Sequence, residues 1–130
     1  MRAVYYRTPG GSLPVRDLVA TLPPAARAAI DLQIDRLNML STSDPPLPFP
    51  HSSQIDGELR ELRCHFGREL YRVLYHRSRN LFVLLHVFRK TTGRVPEEDI
   101  ALAWRRWQDF QESMQRRPRV PPRRGGPGAP

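Results

Sequence analysis

Three stretches of this chain hold the side chains that could do chemistry: residues 58–64 (ELRELRC), 69–77 (ELYRVLYHR) and 80–94 (NLFVLLHVFRKTTGR). Residues 57–94 carry eight Arg, the single Lys (Lys90), three His and only three Glu, a net charge of +6. Such a set suits an anion, and phosphate above all. Guanidinium forks pair with phosphate oxygens, a lysine adds a point charge, and hydroxyls donate. For any one Arg a solvated sheet face is the plainer account. Nine cations beside three His and several aromatics favour an anion-binding face.

Arg72 lies inside an apolar segment, between Tyr71 and Val73. A buried unpaired guanidinium is too costly, so Arg72 faces water, pairs with Glu61 or Glu69, or holds a phosphate. His86 follows Val83-Leu84-Leu85. There it is either a satisfied core or edge histidine or an acid–base group, and strand register decides which. His65 and His76, near strand ends, are expected to face solvent. Arg89-Lys90-Thr91-Thr92-Gly93-Arg94 is a solvated connector or a phosphate clamp. Cys64 is alone, and four His and one Cys show no ligand spacing such as HxxxH or CxxC, so no metal site is expected. There is no phosphate-cradling glycine loop and no GxSxG.

The elements that must position these groups follow from pattern. Residues 2–7 read as a short strand, and 14–22 as a short helix with Val15, Leu18 and Leu22 on one face. Pro23-Pro24 opens a second helix to about Leu40, apolar at Ala26, Ile30, Ile34 and Leu37. Residues 41–53, with four prolines, are expected to be a loop. Residues 58–64, 69–77 and 80–88 read as three strands of an antiparallel meander. Residues 96–114 read as a final helix, with Glu97, Glu98 and Asp99 at its positive end and a stripe of Ile100, Trp104, Trp107, Phe110 and Met114. That stripe is most simply core. The expected order is β-α-α-β-β-β-α in an α+β domain over residues 1–114. Residues 115–130, with five Arg, five Pro and no acid, are expected to be a disordered tail.

The 130 residues suit one domain, and the formal charge is +8. One cysteine excludes a disulfide framework, and no apolar run approaches a membrane span. The first residues lack a signal peptide's apolar core, so a cytoplasmic protein without membrane attachment is expected.

Taken together, LRELR, YRVLY and VLLHVFRKTTGRVPEEDIALA resemble the RelE/ParE toxin superfamily, and within it the phage-derived HigB-like toxins. Glu61-Leu62-Arg63, Tyr71 to Tyr75 and Leu84 to Ala103 carry the likeness, with LPPAARAAI at 22–30 before them. It covers about residues 2–110. It implies a RelE-like microbial ribonuclease-type fold and a type II toxin–antitoxin toxin. The activity would be ribosome-dependent, metal-independent cleavage of mRNA by the ribose 2′-OH, inhibiting translation without a cofactor. Carried over by position, Arg72 is the phosphate clamp, Arg63 its neighbour, Lys90 a basic group at the end of the last strand, and His86 the acid–base group. Arg60, Arg89 and Arg94 complete the RNA contact. The implied partners are a helix-turn-helix antitoxin, operator DNA reached through the antitoxin complex, and the ribosome with its mRNA. Where the family often has KKT-x-K, this chain has Arg89-Lys90-Thr91-Thr92-Gly93-Arg94, which keeps the charge with Arg in place of lysine outside Lys90, and Arg does not readily serve as a base. Two alternatives stay open: a ParE-like gyrase inhibitor that cuts no RNA, and a non-toxic nucleic-acid-binding phage accessory protein.

Overall fold

Proline placement and apolar spacing set the first two helices, α1 (Pro14–Ala20) and α2 (Pro24–Asn38). Each has a proline in its first turn, where the missing N–H leaves no bond unmade. Ala26, Ile30, Ile34 and Leu37 are buried, as their spacing predicts. The computed structural model describes residues 1–89, 93–116 and 120–127. It is an α+β fold, three helices around a six-stranded, mostly antiparallel sheet.

The strands are β1 (Arg2–Tyr5), β2 (Ser52–Asp56), β3 (Leu59–Phe66), β4 (Glu69–Ser78), β5 (Leu81–Arg89) and β6 (Arg123–Arg124), in the spatial order β2-β3-β4-β5-β1-β6. β1 runs parallel to β5, the one exception to an antiparallel sheet. Both faces are covered. α1 and α2 pack on Ala3, Tyr5, Leu62, Val73, Tyr75 and Leu84. The third helix, α3 (Glu97–Gln115), packs on Val4, Leu59, Leu74, Val83 and Leu85 through Ala103, Trp107 and Phe110. Burial on both faces is why β4 and β5 read as nearly unbroken apolar runs. Among the described residues no helix is long and apolar enough to cross a membrane.

One irregularity matters to the site. Tyr75 pairs with Leu84, but Leu74 pairs with His86. A bulge at Leu85 therefore shifts β5 by one residue. With strict alternation His86 would share a face with Leu84, beneath α2. The bulge turns it to the α3 face instead, the way bulges re-aim side chains next to functional sites.

Three expectations are corrected here. Ser52 and Ser53, expected in the loop, instead open strand β2, because the prolines end at Pro50 and the backbone can then pair with β3. His76 does not face solvent. It is 5% exposed, and its ring stacks on Trp107 with centroids 3.7 Å apart. The end of the chain also departs from a disordered tail. Arg123 and Arg124 add a strand to the β1 edge, and the Gly125 N–H donates to Ala3 O at 2.8 Å. Asn38 ties the two together, its Oδ1 accepting from Ala3 N (2.8 Å) and its Nδ2 donating to Gly125 O (3.3 Å). Gly126 has φ +103°, and a Cβ there would lie 2.7 Å from Asn38 Nδ2. Composition excludes a core in this segment but does not exclude backbone pairing at a sheet edge.

Candidate nucleic-acid interface

The face shared with α3 holds the polar cluster. Arg63 on β3 and Arg72 on β4 are direct cross-strand partners. Like charges so placed repel. Glu61, two residues back on β3 and so on the same face, answers both. Its Oε1 accepts from Arg63 at 3.1 Å, and its Oε2 lies 3.4 Å from Arg72 Nε. Ser53 on β2 donates to the same Oε1 at 2.9 Å. Arg72 also donates to Gly93 O at 2.9 Å, which fastens the loop after β5 over the cluster. The Arg72 and Glu61 side chains are each 5% exposed, while Arg63 is 17% exposed. Two cations share one carboxylate, so the cluster keeps one positive charge, and Arg63 is the member that meets solvent.

Beside Arg72 on β5 stands Phe88, its cross-strand partner, and one step along lies His86. His86 Nε2 is 2.7 Å from Asp99 Oδ1, in the first turn of α3. A carboxylate there selects the tautomer with the proton on Nε2 and leaves Nδ1 as the nitrogen able to take one. The His86 and Phe88 rings are nearly parallel, 22° apart, with centroids at 5.5 Å. Across the sheet, Phe49 lies over the Arg63 guanidinium, 5.1 Å from its carbon to the ring centroid.

A family model described as phage-derived protein Gp49-like (DUF891) matches residues 17–108. The chain belongs to the phage-derived Gp49-like family. The matched stretch begins in α1, ends in α3 and takes in every residue of the cluster. In this Gp49-like protein β1 and β6 lie outside the match. No curated protein matches the chain.

Of the residues expected to act, the Gp49-like fold brings Arg63, Arg72 and His86 to one face. Arg60 is not with them. It points to the opposite face, where Nε donates to Ser52 Oγ (3.2 Å) and a terminal nitrogen donates to Leu47 O (3.0 Å), pinning the Pro-rich loop. Arg89 is exposed and paired with Glu69 at 2.8 Å, and Arg94 is exposed. Lys90 lies outside the described residues, with Thr91 and Thr92. Glu61 is there as one of the two partners expected for Arg72, while Asp99 and Phe49 lie beside the cluster without having been given a part in it from the sequence. Glu61 carried a signal, its two-residue spacing from Arg63. Asp99 meets His86 only through tertiary packing. Among the described residues no group of three or more His, Cys, Asp or Glu could hold a metal. Burial pushes the Cys64 thiol up to about 12, so it is not a nucleophile at neutral pH.

The Gp49-like fold contains a second histidine device away from this cluster. Burial against Trp107 lowers the pKa of His76 from 6.5, opposed by its contact with the Arg77 carbonyl and by Glu58. The folded protein therefore releases this proton at lower pH than the unfolded chain does. Stability from this group is complete above the unfolded value of 6.5 and falls as pH drops toward the folded one. Urea unfolding at about pH 7.5 and about pH 5.5 should show His76→Phe losing less stability on acidification than wild type. Equal losses in both proteins would remove His76 as the cause.

Proposed function

We propose that this protein is the toxin of a type II toxin–antitoxin system and cleaves mRNA on the ribosome. The observation that supports it is the gathering of Arg63, Arg72 and the His86–Asp99 pair on one sheet face. Arg63 holds the scissile phosphate and meets the charge that grows on it, with Arg72 and Glu61 fixing its position. His86 Nδ1 takes the proton of the 2′-OH as that oxygen bonds to phosphorus. The P–O5′ bond breaks, and the departing oxygen takes a proton from solvent or from the Lys90 ammonium. The products are a 2′,3′-cyclic phosphate and a 5′-hydroxyl. No metal is needed, because the cations are side chains. A helix-turn-helix antitoxin holds the toxin inactive, and the pair binds operator DNA. The helical pair α1–α2 is the surface offered to it. The site of action is the cytoplasm.

The test is induction of the chain alone in a bacterial host, with mRNA 5′ ends mapped. New 5′-hydroxyl ends confined to translated messages are expected. Growth arrest with intact mRNA and a DNA-damage response would replace this reading with gyrase inhibition. Absence of any growth defect would mean a non-toxic nucleic-acid-binding protein.

A further inference from the structure

We propose that Phe49 and Phe88 are stacking platforms for the two bases that flank the cleaved phosphate, so that the substrate is an RNA strand unpaired on both sides of the cut. The inference rests on the RNA-cleaving reading above and adds to it the form the substrate must take.

Phe49 is the most exposed aromatic among the described residues, at 69%. One of its faces lies on the Arg63 guanidinium, which holds the ring in place without covering the other face. Arg63 keeps further donors for phosphate while doing so. On the other side of the Arg63–Arg72 row stands Phe88, half-buried and the cross-strand partner of Arg72. The β3 and β5 backbones that carry Arg63 and Phe88 are two strand spacings apart, roughly 10 Å. A phosphate on Arg63 thus has an aromatic ring on each side, one toward β2 and one toward β5. His65, Arg68, Arg89 and Arg94 around them are exposed. Alternating cations and aromatics are what single-stranded nucleic acid needs, the cations following the backbone and the rings taking bases of any identity. A duplex cannot use the rings, because its bases already stack on one another.

The experiment compares cleavage of a short mRNA on programmed ribosomes by wild type, Phe49→Leu, Phe49→Trp and Phe88→Leu. Phe49 is exposed, so its leucine variant keeps the fold. The expected result is a KM about 5- to 100-fold higher for Phe49→Leu, with kcat little changed and the loss recovered in Phe49→Trp. Phe88→Leu should raise KM and also lower kcat, since that ring packs beside His86. An mRNA with an abasic ribose beside the cut should be cleaved alike by wild type and by Phe49→Leu. A wild-type KM in Phe49→Leu, or a Trp variant no better than the Leu variant, overturns the stacking role while leaving the nuclease intact. A wild-type chain that leaves translated mRNA whole overturns the nuclease reading, and the stacking role with it.

Discussion

Arg72→Ala will destabilise the fold by about 3 kcal/mol, the lower end of the range for removing one partner of a buried ion pair. Its side chain is 5% exposed, and its guanidinium lies between Glu61 and the Gly93 carbonyl. Without it the Glu61 carboxylate stays buried with Arg63 and Ser53 as its remaining partners. These hold the loss at the low end of the range. Gly93 O also loses a donor, so the loop after β5 loosens. Urea or thermal unfolding reads the effect, and the melting temperature should fall by roughly 10 °C. Combining Arg72→Met with Glu61→Leu should recover much of the loss, because an apolar pair of similar volume needs no compensation. Additive losses in the double variant would show that the two side chains do not act as a pair. The consequence for assays is direct: lost cleavage in Arg72→Ala reports lost fold as much as lost chemistry. Arg63, with more of its side chain in solvent, is the better residue for testing phosphate contact.

The second large effect belongs to His86. If it takes the 2′-OH proton, His86→Ala should reduce kcat by about 10²- to 10⁴-fold, the usual worth of a positioned general base, with KM little changed. The side chain is 16% exposed and its ring is held by one carboxylate, so the fold should survive the change. Asp99→Asn should also lower kcat, since an amide can present its NH2 to Nε2 and reverse the tautomer. Circular dichroism and unfolding curves for both variants should match wild type. A His86→Ala protein that cuts at the wild-type rate would remove this residue from the chemistry and leave catalysis to the cations alone.

Much of this architecture was legible in the residues. The 4, 4, 3 spacing from Ala26 to Leu37 predicts α2, and the acidic first turn with the Trp104/Trp107 stripe predicts α3. Even the placement of Arg60 could be read from parity. Residues 60 and 63 differ by three, so one strand sends them to opposite faces. His86 could not be read this way. Counting by twos from Leu84 puts it under α2, and only the extra residue at Leu85 reverses that. A bulge leaves no mark in apolar periodicity, because both faces of β5 are apolar. Asp99 was hidden for a different reason. As an acid in a helix's first turn it already had a sufficient role, and its bond to His86 depends on how α3 crosses the sheet. β2 and β6 were missed because backbone hydrogen bonds, not side chains, define them. Arg and Pro in quantity say that a segment cannot form a core, and β6 forms none. It only completes an edge.

That edge gives the molecule an order of assembly. The strand at Arg123–Arg124 pairs with Val4 and Tyr5, joining nearly the two extremes of the chain. Every other strand pairing can form earlier in synthesis. Until residues 123–126 leave the ribosome, the β1 edge has backbone groups without their strand partner, the Ala3 carbonyl among them, and Asn38 lacks the Gly125 carbonyl its amide donates to. A chain that lacks this segment is thus open to pairing with a strand from another molecule, whereas residues 123–126 close that opening from within the same chain.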